Sequence, residues 1–110
     1  MKKLAILMAL LVLITPAGLL AQQTATVTLS LVVTHAAILT WDASSTQGVT
    51  QYNVYRGTAT GGPYTKITSG NFLTYSDKNV ASGTTYFWVV TAVNSGGESG
   101  FSNEVSGAIP

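Results

Sequence analysis

A chain of 110 residues with no cysteine, 46% hydrophobic and only 8% charged, with a formal charge of +1, has no thiolates for disulfides or metal–sulfur sites. It also lacks the dense basic surface that nucleic acid requires. Its length leaves room for one core.

The chain begins Met1-Lys2-Lys3 and continues with eleven uninterrupted apolar residues, 4–14. A positive start followed by an apolar run too short to span a bilayer reads as a secretory signal peptide. Thr15-Pro16-Ala17 ends the run, and cleavage is expected after Ala21, with Ala17 as the other small-residue position. An uncleaved anchor extended to Leu20 is opposed by Pro16 and Gly18 and by the lack of a charged stop. The expected organisation is therefore a signal peptide, 1–21, and one domain, 22–110, secreted to the periplasm or the extracellular space with no membrane span after cleavage. The domain carries Arg56, Lys66 and Lys78 against Asp42, Asp77, Glu98 and Glu104, a net charge of −1. Solubility then rests on Ser, Thr, Asn, Gln and Gly.

After a polar lead-in, Val27, Leu29 and Leu31 alternate with polar residues and predict a first strand. A second, 36–42, places Ala37, Leu39 and Trp41 on one face, with Trp41 as the large core filler. Residues 43–48 form a Ser/Thr/Gly loop, and a third strand, 50–56, alternates Tyr52 and Val54 against Gln51, Asn53 and Tyr55. Gly61-Gly62-Pro63 demands a turn. Short strands are expected at 64–68 and 72–76, separated by Ser69-Gly70-Asn71.

Residues 83–94 form the richest β-branched and aromatic stretch outside the leader and predict the central strand. Tyr86, Trp88, Val90 and Ala92 occupy one phase; Phe87, Val89 and Val93 occupy the other. A loop, 94–100, and a last strand, 101–109, complete seven short strands with no helical periodicity, the pattern of an all-β antiparallel sandwich.

Leu39-Thr40-Trp41, Tyr52-Asn53-Val54-Tyr55-Arg56, Gly83-Thr84-Thr85-Tyr86 and Val90-Thr91-Ala92-Val93-Asn94 together resemble a fibronectin type III domain, an immunoglobulin-like sandwich. Tyr55-Arg56-Gly57 through Gly62-Pro63-Tyr64, with Ser102-Asn103-Glu104-Val105, is similar to the variety common in secreted bacterial proteins. The resemblance implies three strands packed on four, with Tyr86 as a corner tyrosine bonded back to the backbone a few residues upstream. It thereby turns Tyr86, Trp88, Val90 and Ala92 inward and Phe87, Val89 and Val93 outward. Trp41, Tyr86 and Trp88 are the expected structural aromatics. Val80, Ser82 and Ala37 depart mildly from the family pattern.

Catalytic chemistry finds little material. His35 stands alone near a turn, without the carboxylate and serine a triad needs. Gly97-Glu98-Ser99-Gly100-Phe101 lacks the second glycine of a nucleophile elbow, and Gly57-Thr58-Ala59-Thr60-Gly61-Gly62 lacks the Lys and Ser/Thr of a phosphate loop. No metal or cofactor site is expected, and the four carboxylates read as solvated surface charges. The chain has no Arg-Gly-Asp tripeptide for integrin-type adhesion.

What remains is surface. Tyr55, Phe87 and Val89 are the candidate partner-binding patch, since exposed aromatic rings stack on sugars or on another protein's side chains. The end loops, 43–48 and 94–100, are the second candidate. The expected function is a secreted, non-enzymatic interaction module for a protein or glycan partner, with a structural spacer in a larger surface assembly as the alternative.

Overall fold

The computed structural model describes residues 2–5, 10–14 and 23–110, with side chains from 27 to 110. Among the described residues every regular element is a strand. Both expected cleavage points, Ala17 and Ala21, lie outside the described residues.

Alternation builds the smaller wall of the sandwich. In β4 (Leu29–Val33) and β5 (Ala37–Trp41), every second residue is buried: Leu29, Leu31, Val33, Ala37, Leu39 and Trp41. β8 (Thr74–Asp77) pairs with β5, and β1 (Lys2–Ala5) lies along the other edge of β4, so the antiparallel order is β1-β4-β5-β8. β2 (Leu10–Ile14) and β3 (Gln23–Val27) form a separate two-stranded ribbon.

The larger wall is centred on β9 (Thr85–Asn94) and β6 (Gln51–Gly57), which pair in register from Gln51↔Val93 to Gly57↔Phe87. β7 (Thr65–Gly70) flanks β6, with a register shift at Val54/Tyr55. Beyond β9 the edge is split into β10 (Gly97–Glu98) and β11 (Val105–Ala108). The seven expected strands are present as β4, β5 and β8 facing β7, β6, β9 and this split edge, and β1 adds an eighth.

Tyr52, Val54, Trp88, Val90 and Ala92 from the larger wall meet the alternating face of the smaller one in a single cluster. Trp41 fills the middle, with Tyr52 and Phe72 edge-on at ring-centroid distances of 5.8 and 6.1 Å. The amide of Asn103 joins the two walls: the Leu29 N–H donates to Oδ1 at 2.9 Å and Nδ2 donates to the Leu29 carbonyl at 3.2 Å.

Candidate functional site

The split edge shapes the outer face of the larger sheet. Glu98 pairs with Val93 and Val105 with Trp88, so seven steps along the edge match five along β9 and two residues are extra. The ladder survives because serines substitute for missing partners: the Ala92 and Val90 amides donate to Ser99 Oγ and Ser102 Oγ, both at 2.9 Å. The excess chain carries Phe101 across the sheet. Its ring lies edge-on to Tyr55 at 5.3 Å and to Tyr64 at 5.1 Å, giving a row of three aromatics in which Phe101 is 41% exposed.

A carboxylate holds each end of that row. Glu98 accepts from Asn53 Nδ2 at 2.9 Å, from Thr91 Oγ1 at 2.6 Å and from the Tyr55 hydroxyl. Glu104 accepts from Thr60 Oγ1 and the Gly61 amide, each at 2.8 Å, and from the Tyr64 hydroxyl. Partial burial pushes the Glu98 carboxyl up, but the Thr91, Tyr55 and Asn53 donors and nearby Lys66 outweigh it and hold the group below its usual value. Glu104 is likewise lowered, burial being overcome by Tyr64, Gly61 and Thr60. The tyrosines move the other way: burial and the Glu104 partner push Tyr64 up to about 12, and burial and Glu98 raise Tyr55.

Tyr55 and Phe87 are half-buried on the outer face. Val89 shares that face but is only 2% exposed, a correction to its place in an exposed patch. It lies cross-strand from Tyr55, whose ring packs against Phe101. Three of the four carboxylates also need correcting. Asp77 is 1% exposed, while Glu98 and Glu104 are committed to hydrogen-bonded networks; only Asp42 is simply exposed. His35 is exposed on the β4–β5 connection. Phe101, Tyr64, Glu98 and Glu104 were missed as site residues. The Ser99-x-x-Ser102 spacing around Phe101 is the one signal that marks this edge as irregular.

At the opposite end of β9, the Tyr86 hydroxyl accepts from the Ala81 amide at 3.0 Å, which closes the corner between the two sheets. The structure is similar to that of an Fn3-like protein from Clostridium thermocellum, with a TM-score of 0.63 and 40% sequence identity over 73% of this chain and 88% of that one. The chain belongs to the fibronectin type III family. No family model matches it. The domain is also similar to an amylopullulanase of Thermoanaerobacter thermohydrosulfuricus, 52% identical over 56 residues, which are 49% of this chain. It spans only about 4% of that enzyme's length. The pectate lyase PelI of Erwinia chrysanthemi contains a similar fold, with a TM-score of 0.68 and 27% identity over 74% of this chain and 27% of that one.

Below the Tyr86 corner, this fibronectin type III domain has a groove of about 410 Å³ walled by Arg56, Thr58, Pro63, Thr65, Ile67 and Tyr86. Arg56 Nη1 donates to Asp77 Oδ1 at 3.0 Å, to Asp77 Oδ2 at 2.9 Å and to the Asn79 carbonyl at 3.0 Å. The Trp88 indole N–H donates to the same Asp77 at 3.0 Å, and the guanidinium lies 5.2 Å from the centre of the Tyr86 ring. Among the described residues no three His, Asp or Glu side chains gather as a metal site, and no helix is long and apolar enough to cross a membrane.

Proposed function

We propose that the domain is a secreted, non-catalytic accessory module that holds an uncharged glycan on the outer face of its larger sheet. The observation that carries this is the Tyr55–Phe101–Tyr64 row, with an exposed central ring flanked by tyrosines whose hydroxyls are fixed by carboxylates. Aromatic rings offer apolar faces to the C–H faces of sugars, and a row fixed before binding loses little entropy on it. Glu98 and Glu104, both held toward the ionised form, favour a neutral polysaccharide over an anionic one. Similarity to a small part of an enzyme named amylopullulanase supports an accessory place beside polysaccharide chemistry. The leader-like segment 1–21 supports export.

Affinity electrophoresis of the chain in gels containing pullulan or amylose tests the reading. Migration should be retarded, and Phe101→Ser, at an exposed position, should abolish the retardation with the fold intact. Unretarded wild-type protein in both gels would refute glycan binding. A spacer role is the second reading, favoured by the chain's 4% share of its relative's length. It predicts no ligand, and a mass by light scattering that is monomeric at every concentration and unchanged by Phe101→Ser.

A further inference from the structure

Among the described residues, every hydrogen bond of the Arg56 guanidinium to protein runs through one nitrogen, Nη1. Among the described residues, Nε and Nη2 donate to no protein acceptor, although the side chain is only 21% exposed. A guanidinium is planar and presents its donors as rigid forks, and the Nε–Nη2 edge is one that matches the two oxygens of a carboxylate. Anchoring Nη1 on Asp77 turns this edge away from Asp77, which is not a wall of the groove, whereas Arg56 is. The edge is also held still, by Asp77 on one side and by the Tyr86 ring against the guanidinium.

The walls suit an acceptor whose body presents both C–H faces and hydroxyls. Pro63, Ile67 and Tyr86 provide carbon surface, Thr58 and Thr65 provide hydroxyls, and among the described residues Arg56 is the one charged residue lining the groove. A groove of about 410 Å³ falls within the size range of small-molecule sites. We propose that this groove is a second ligand site, distinct from the aromatic row, which takes a small carboxylate on the Nε–Nη2 edge of Arg56 and packs its body against Pro63, Ile67 and Tyr86. Asp77 already balances the arginine charge, so recognition comes from fork geometry rather than from net attraction, and binding is weak but selective for a planar two-oxygen acceptor.

Arg56 is the only arginine in the chain, so its Nε–H gives one resolvable resonance in a nitrogen-15 correlation spectrum. The experiment titrates the full chain with galacturonate, with glucose as its uncharged counterpart, and with sodium chloride and inorganic phosphate at matched ionic strength. A saturable shift of the arginine Nε–H with galacturonate alone is the expected result. Thr65→Glu, which places a like charge on an exposed wall, should weaken that binding about tenfold or more, whereas Thr65→Gln leaves it within about twofold. Four outcomes would overturn the proposal: no saturable shift, an equal shift with glucose or chloride, a phosphate response as strong as that of galacturonate, or unchanged affinity in Thr65→Glu. Because the Thr65 variants leave Arg56 and Asp77 in place, the test does not depend on folding without that pair.

Discussion

Asp77 serves three donors at once, the Arg56 guanidinium, the Trp88 indole and the Asn79 amide, while buried to 1% exposure. Removing such an acceptor leaves a mostly buried cation without its counter-ion and an indole N–H without a partner, which costs far more than the net worth of the pair. Asp77→Ala should therefore lower stability by about 3–5 kcal/mol in urea unfolding, and a loss under about 1 kcal/mol would show that the network is dispensable. Tyr86 acts on a smaller scale, through one hydroxyl that accepts from the Ala81 amide. Tyr86→Phe should cost about 1–3 kcal/mol, because the ring stays packed and only the hydrogen bond is lost. An unchanged unfolding midpoint would mean that water replaces the hydroxyl.

Among the elements, the β10/β11 edge departs furthest from regular pairing and also shapes the candidate site. Two extra residues would leave buried amides of β9 unpaired, and the Ser99 and Ser102 side chains accept from them instead. Ser102→Ala exposes the consequence at one atom: the Val90 N–H, on a residue with 0% exposure, loses its acceptor. The expected loss is about 1–3 kcal/mol, with faster hydrogen exchange at the Val90 amide than at its neighbours in β9. Uniform exchange along β9 in the variant would show that the edge re-pairs without the serine. The same excess chain brings Phe101 over Tyr55, so the edge's irregularity and the aromatic row have one cause.

For the whole molecule, the two tyrosine–carboxylate clusters define a pH window of stability. Glu98 and Glu104 have folded-state values below the ordinary 4.5, so their contribution is present above that value and is lost as pH falls through the lowered ones. Tyr64 moves from 10.0 to about 12, so the folded protein holds that proton more tightly, and stability falls as pH rises from the first value through the second. Melting temperature should be flat near neutrality and decline at both ends, modestly because these groups lie near water. The double variant Glu98→Gln, Glu104→Gln should flatten the acid limb. An acid limb as steep as that of the wild type would place the titration elsewhere.

The sandwich was legible because strand burial has a period of two. Leu29, Leu31 and Val33, then Ala37, Leu39 and Trp41, each declare a face without reference to any distant residue, whereas 85–94 is apolar in both phases and its inward set, Tyr86, Trp88, Val90 and Ala92, followed only from the resemblance to a family with a tyrosine corner. That corner placed Val89 on the outer face but could not reveal that the residue is buried there. Alternation reports direction, whereas burial depends on what the rest of the chain lays on top. Phe101 over Tyr55, Tyr64 on Glu104 across 40 positions and Arg56 on Asp77 across 21 are pairings between segments that no local pattern connects. The sequence by itself therefore determined the fold class and the inward faces of the alternating strands, since those follow from chain geometry over a few residues, while the phase of the central strand came from the family's tyrosine corner. Only the tertiary structure decided which carboxylates are solvated, where the aromatic row stands and which edge of Arg56 is left open, because those depend on chain closure over distances that periodicity does not encode.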